Sequence, residues 1–462
     1  MNKNNGFILS TYVYILLVFF LLLLSTMLAV LNNTRLLSNK LKEQSSNTSG
    51  LINKDFSFVM LGDKEILIRK GDEFIDPGFI IKSSGGVDLA NIVKVTDSIN
   101  NNVIGNYERI YTATYNGVTK ELKRIVHVVD NNASNYLTAL YDYKSNDNGL
   151  IKDDTVDKNI RYSGNYVKNY VEFGNTNELW RIIGTFNVTT ASGNTEKLVK
   201  IVRDNLIGWY SWDSSIGNNN RTLEDGEIND GLGINQWGAS TYTDGSAYEG
   251  ADLMRELNTL YLNSGSGRCY NGSNNASTTC NFSTTGIKDT YRGMIENVVW
   301  NTGALAWDDN GIPALTAYNE ERGTSNVKDL CTQGMVYCND NVIRTTTWKG
   351  LVGLIYPSDY GYASTYVNSD TNKGCRDNIN DNSNYSCMNE NWLHNNTNYW
   401  TISPLARTGT ATSAWDVGSR GCTGHGDSIY GFGIRPTIYL KSNAYITNGD
   451  GTESRPYQLS IN

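Results

Sequence analysis

No stripe of Lys and Arg interleaved with aromatics runs through these 462 residues, whose net charge is −8 and pI near 5.1. Both features count against nucleic acid as a partner, because phosphates call for a basic footprint. Proline is scarce, at 6 residues, and helix-forming runs are few. Instead, 44 Gly and abundant Asn, Ser, Thr and Asp mark a chain of turns and short strands. No cysteine precedes Cys269, which excludes a lipid anchor on a lipobox cysteine. No cysteine pair has the C-x-x-C spacing of a zinc site, so the sequence gives no reason to expect a metal or a cofactor. Tyr457–Asn462 carries neither a hydrophobic tail nor a sorting motif, so any anchor is expected at the other end.

What is present describes an exported globular protein. Hydrophobic residues make up 39 % and charged residues 19 %, and the length suits two or three domains. Aromatics are weighted to 29 Tyr and 10 Trp against 11 Phe. Tyr and Trp suit half-wet binding surfaces, and they are equally at home in a β-rich core.

Gly6–Leu31 holds no charged side chain, and Val13–Leu24 is almost wholly apolar. As a helix of about 1.5 Å rise per residue it spans roughly 39 Å, enough to cross a membrane. The run is longer than a signal-peptide core, and Met27-Leu28-Ala29-Val30-Leu31 offers no small-x-small cleavage site. Residues 1–40 therefore read as a membrane anchor and 41–54 as a polar linker, with everything beyond outside the cell. Lys3-Asn4-Asn5-Gly6-Phe7-Ile8-Leu9 resembles a type IV prepilin leader, which a peptidase cuts after Gly. That family usually has Glu at the fifth position after the cut, where this chain has Thr11.

From Asp55 to Asp130 short alternating runs dominate. Phe56–Leu61, Glu65–Arg69, Ile92–Thr96, Tyr107–Tyr115 and Leu122–Val129 read as strands of an antiparallel sandwich. Tyr107, Arg109, Tyr111, Ala113 and Tyr115 share one face. The opening Ile66-Leu67-Ile68 with Lys70-Gly71-Asp72, the Asp76-Pro77-Gly78 turn, Gly105-Asn106-Tyr107 and the closing His127-Val128-Val129-Asp130 resemble a bacterial Ig-like family. That family was first named from a pesticidal crystal toxin, and the resemblance implies a stalk or spacer. His127 reads as a structural surface histidine.

All ten Trp and all seven Cys fall beyond residue 136, marking a separate α+β unit over 136–462. Glu178–Gly184 with Leu198–Val202 reads as a hairpin. Ala251–Leu262 and Lys288–Trp300 read as amphipathic helices. Leu351–Tyr356 reads as a buried strand and Ile434–Leu440 as a last one. Cys269 with Cys280, Cys331 with Cys338, and Cys375 with Cys387 form close pairs suited to local disulfides in an oxidising compartment. Cys422 is left over. Trp180–Gly184, Tyr210-Ser211-Trp212-Asp213, Tyr356–Tyr362, Trp400–Pro404, Trp415–Gly418 and Gly433–Pro436 resemble a domain of unknown function recurrent in exported bacterial proteins. Its ending is similar to C-type-lectin-like folds, including the formylglycine-generating group. That group's catalytic cysteine pair is not recognisable here, so its activity is not implied.

These readings describe a multidomain, single-pass membrane protein: a helix, an Ig-like spacer and an extracellular head that binds or adheres, without enzymatic activity. Trp209, Trp212, Trp392 and Trp415 are candidates for the binding face, with a carbohydrate or a protein surface as the ligand. Two alternatives stand beside it. One is a pseudopilin-like filament component. The other is an extracellular hydrolase using a pair from Asp213, Asp359 and Asp416, or Cys422 with His425 and Asp427 close behind.

Overall fold

In the computed structural model the described residues are 55–214, 233–272, 277–330, 342–365, 374–380, 388, 390–406 and 412–461, with side chains 145–147 excepted. They fall into two compact units. One holds the described residues up to Ile66 with Glu73–Asn100 and Asn106–His127; the other holds Leu67–Asp72, Asn101–Gly105 and Val128 onward. The apolar run Gly6–Leu31 and the linker 41–54 lie outside the described residues. Among those described, no helix is long and apolar enough to cross a membrane.

The first unit is built on β1 (Phe56–Met60), β2 (Glu65–Arg69), β3 (Phe79–Ser83), β4 (Lys94–Asp97), β5 (Gly105–Tyr115) and β6 (Val118–Val129). β1 pairs with β3, and the second sheet runs β2-β6-β5-β4. Phe56, Ile81, Leu89 and Ala113 fill the space between, with Phe58 and Phe79 packed against them. β3 was missed from sequence because Phe79-Ile80-Ile81 follows directly on the Asp76-Pro77-Gly78 turn. That turn is a structural hub. Gly78 takes φ +81°, and its N–H donates to Asp76 Oδ1 at 3.0 Å. The same carboxylate accepts from the Tyr111 hydroxyl at 2.6 Å and from Arg109 at 3.0 Å. Burial works against ionisation of Asp76, yet the Tyr111, Gly78 and Arg109 donors outweigh it and hold its pKa below the usual range. His127 is buried rather than on the surface, with Nδ1 2.7 Å from Asn106 Oδ1.

The second unit opens with a helix the sequence reading lacked, α1 (Ala133–Asn148). Asn132 caps it by accepting the Asn135 N–H at 3.3 Å, and Gly149 ends it at φ +72°. Leu137 and Leu140 sink into the core. There follow β7 (Leu150–Lys152), β8 (Ile160–Tyr162), β9 (Tyr170–Glu172), the hairpin β10 (Leu179–Thr189) and β11 (Thr195–Arg203), and β12 (Trp209–Ser211). Next come α2 (Asp252–Glu256), β13 (Ser266–Tyr270), β14 (Ser277–Asn281), α3 (Ala314–Glu321), β15 (Val352–Gly353) and α4 (Pro357–Tyr362). The C-terminal strands are β16 (Tyr399–Ala406), β17 (Ser413–Val417), β18 (Thr423–Asp427), β19 (Gly431–Gly433), β20 (Thr437–Tyr439), β21 (Ala444–Asn448) and β22 (Gln458–Ile461). One sheet runs β15-β20-β11-β10-β8-β7, with β9 beside β10. Another runs β12-β19-β16-β17-β18.

Several expectations change. Lys288–Trp300 is helical only over Asp289–Arg292, and Val298–Asn301 is a strand because its Val298 and Trp300 alternate into the core. Ala251–Leu262 is helical but loosens into a π turn over Leu257–Tyr261. The buried strand at 351–356 shrinks to β15, and β21 and β22 follow β20, so the segment at 434–440 is not the last strand. Cys269 and Cys280 are bridged across the β13–β14 hairpin with Cα atoms 5.8 Å apart. Cys375 is also in a disulfide. Cys331, Cys338 and Cys387 lie outside the described residues.

At the centre lies a buried ionic network. Arg161 Nε meets Asp153 at 2.7 Å, its NH1 meets Asp359 at 2.7 Å, and Lys200 meets the other Asp359 oxygen at 2.5 Å. All four side chains are at most 2 % exposed. Burial raises the cost of the Asp359 charge, but Lys200 and Arg161 overcome it and hold its pKa near 2. The network ties β8 and β11 to α4, elements far apart in the chain.

Candidate functional site

Six of the ten tryptophans are fully buried: Trp180, Trp212, Trp237, Trp300, Trp400 and Trp415. Two of the four binding candidates, Trp212 and Trp415, are among them, and Trp392 is 7 % exposed, so all three take packing roles. Trp212 is 0 % exposed, donates to the Thr401 carbonyl at 3.0 Å and packs edge-on against Trp237 at 5.2 Å. Trp415 donates to the Leu305 carbonyl at 3.0 Å and stacks on Trp307 at 5.3 Å. Trp392 donates to the Tyr162 carbonyl at 2.9 Å. Each indole thus pins two backbone segments while burying a large apolar surface.

Trp209 differs. It is 57 % exposed, the one tryptophan of the ten in the exposed class. β12 is an edge strand, and directly across from Trp209 in the β12–β19 ladder stands Gly433, which has no side chain to cover the ring. The next pair, Tyr210 opposite Phe432, points to the other face. Phe432 stacks on Trp400 at 4.4 Å, and Tyr430, 43 % exposed, lies 6.3 Å from Phe432. The edge therefore presents aromatic surface on both faces.

The chain leaving β12 enters an acidic cluster. Asp213 Oδ1 accepts the Asp252 N–H at 3.1 Å, standing in for a cap that Ala251 cannot supply at the start of α2. Asp213 Oδ2 accepts the Ile234 N–H at 2.6 Å. Asp252 in return accepts from the Ser214 N–H at 3.0 Å and pairs with Arg255. One turn further along α2, Glu256 is 6 % exposed, and among the described residues neither carboxylate oxygen has a hydrogen bond of ordinary geometry. Burial, reinforced by the nearby Asp252 charge, pushes its pKa up to about 9, so Glu256 is a neutral acid at pH 7. It lies close enough to Tyr210 and Tyr270 to raise their pKa values, behind burial itself in each case. Sequence reading found Asp213 but missed Asp252 and Glu256. The available signal was two acids at i and i+4 on a helix whose face is otherwise apolar.

The other acid candidates do not join this cluster. Asp359 is the hub of the ionic network. Asp416 is buried beside Asn398, whose amide donates at 3.1 Å, and burial pushes its pKa up to about 7. Cys422 is a buried thiol near Tyr360, whereas His425 packs edge-on against Trp307 at 4.9 Å. Cys422 sits in the bend just before β18, and His425 lies within that strand. Asp427 accepts from the Ser413 hydroxyl at 3.0 Å. Among the described residues, no group of three or more His, Cys, Asp or Glu is arranged to hold a metal ion.

Residues 58–128 match the family of the bacterial surface protein Ig-like domain. The Ig-like resemblance of the first unit is thereby shown, and the turn at Asp76-Pro77-Gly78 lies within the match. No curated protein is similar to this chain. Among solved structures, a lipoprotein of Bacteroides thetaiotaomicron is similar at 21 % identity over 33 % of this chain and 62 % of its own, with TM-score 0.17. The CBM51-2 and INT domains of Clostridium perfringens ZmpB, solved with GlcNAc, are similar at 12 % identity over 43 % of this chain and 38 % of theirs, with TM-score 0.15. The chain thus spans less than two thirds of either structure, and scores this low establish no shared fold.

Proposed function

We propose that this is a bacterial cell-surface protein held by its N-terminal apolar run, in which the Ig-like unit is a spacer and the tryptophan-rich unit binds a carbohydrate or protein ligand outside the cell. The observation that carries the binding reading is Trp209, left 57 % exposed on an edge strand while six of its fellows are fully buried. An exposed indole costs solvation with no packing return, and flat aromatic faces at an edge suit the apolar faces of sugar rings or an aromatic-anchored protein contact. The full chain in detergent, applied to immobilised glycans and surface extracts, is expected to show saturable capture. Trp209→Ala should weaken that capture by about tenfold or more, equivalent to about 1.4 kcal/mol. Capture that is undiminished in the variant, or no capture at all, would remove this reading.

A second reading, an extracellular hydrolase, is favoured by Glu256. A buried acid whose pKa is pushed up to about 9 beside a second carboxylate, Asp252, is the arrangement general acid catalysis uses. Turnover of a polysaccharide substrate lost in Glu256→Gln, with binding retained, would establish it over the binding module.

A further inference from the structure

Between α1 and strands β7, β8, β10 and β11 lies a cavity of about 240 Å³. It is lined by Lys152, Lys158 and Lys197, by Asp142 and Asp157, and by Thr185 among others. Lys152 and Lys158 come from the β7–β8 hairpin and Lys197 from β11, so two segments far apart in sequence converge here. Lys158 ends a turn at φ +51°, a conformation that L-residues other than Asn and Asp seldom adopt. Lys197 donates to the Thr138 hydroxyl of α1 at 2.9 Å. Its ammonium is disfavoured first by burial and then by the nearby Lys152 charge.

The floor of the cavity carries an open hydrogen-bonding group. Thr185 is 1 % exposed, and its hydroxyl has no partner among the described residues. The β10–β11 register shifts between Ile182 and Gly184, a bulge that re-aims the strand just before Thr185. Beyond the bulge, Thr185, Asn187 and the cross-strand Lys197 share the face that α1 covers. A buried hydroxyl without a partner costs about 1–3 kcal/mol, which a bound acceptor would recover.

We propose that this cavity binds an acidic monosaccharide, a sugar ring bearing one carboxylate, with Lys197, Lys152 and the Thr185 hydroxyl facing the carboxylate. Three lysines against two aspartates leave one unit of positive charge, which matches one carboxylate rather than a doubly charged phosphate. Asp157, whose carboxylate accepts the Tyr318 hydroxyl at 2.5 Å, and Asp142 are placed to accept ring hydroxyls. A volume of about 240 Å³ holds one ring and no more. The inference rests on the reading of this unit as a ligand-binding head and names a ligand class and a second site within it.

The test is calorimetric titration of the full chain in detergent with glucuronate, glucose and inorganic sulfate. Glucuronate is expected to bind saturably, and glucose and sulfate at least about tenfold more weakly. Lys197→Gln and Thr185→Val should each weaken glucuronate by about tenfold, and glucuronate affinity should fall as salt is raised. Lys152→Gln, on an exposed side chain, repeats the charge test should either of the others fail to fold. The proposal is overturned if glucose binds as well as glucuronate, or if Lys197→Gln and Lys152→Gln both leave the affinity unchanged. A chain that fails this titration but still loses glycan capture on Trp209→Ala keeps the edge-strand reading and loses this one.

Discussion

Glu256 makes the stability of the tryptophan-rich unit fall as pH rises, and Glu256→Gln should remove that slope. An unfolded glutamate titrates near 4.5, whereas burial and Asp252 push the folded group up to about 9. Between those values the unfolded chain has released the proton and the folded chain has kept it. The contribution is fully present below about pH 4.5 and is lost progressively up to about pH 9, at about 1.4 kcal/mol per pH unit. From about pH 6 to about pH 8 the natural protein should therefore lose roughly 3 kcal/mol relative to the variant. Asp416, whose pKa is raised to about 7, contributes a slope of the same sign, but equally in both proteins, so it cancels in the comparison. Urea unfolding followed by tryptophan fluorescence reads this unit alone, because all ten Trp lie beyond residue 136. A gap between the two proteins that stays constant within about 0.5 kcal/mol across this range would mean Glu256 is ionised in the fold.

Other substitutions separate packing from display. Trp212→Ala should cost roughly 3–5 kcal/mol by the same urea assay, and Trp209→Ala no more than about 0.5 kcal/mol. Asp359→Asn should cost about 3–5 kcal/mol by strand Arg161 and Lys200 charges without their shared counter-charge, and its urea midpoint should drop accordingly. Replacing Cys269 and Cys280 together by Ser opens a loop of sequence separation 11 and should cost roughly 3 kcal/mol, read as a lowered melting temperature.

Local chemistry was the part legible in the sequence. The Asp76-Pro77-Gly78 turn could be read because its carboxylate and its left-handed glycine act within three residues. The β10–β11 hairpin was likewise legible, because its two strand-forming runs lie close together in the chain. Partner-dependent features were not legible. Whether a tryptophan near Asp213 faces solvent depends on what stands across the ladder, and for Trp209 that is Gly433, far along the chain. Helix α1 was overlooked because its Asn, Ser and Asp residues read as turn formers, while only Ala133, Tyr136, Leu137 and Leu140 of its hydrophobic side chains are buried. Glu256 was overlooked because its signal, an acid four residues after Asp252 on an otherwise apolar helix face, does not say whether that face meets water or a core.

Strand β20 sits between β15 and β11, one strand in from the edge of the unit's larger sheet, with Tyr439 opposite Lys200 and Thr437 opposite Val202. Synthesis therefore delivers the strands out of spatial order. β10 and β11 can zip early, but β11 keeps a bare, apolar edge until residues 437–439 emerge. A nascent or half-translocated chain carries that edge through most of its production, exposed to pairing with another copy. Truncation before Thr437 should yield aggregates rather than a smaller folded unit, and the burden of keeping the chain soluble until then falls on whatever accompanies it during synthesis.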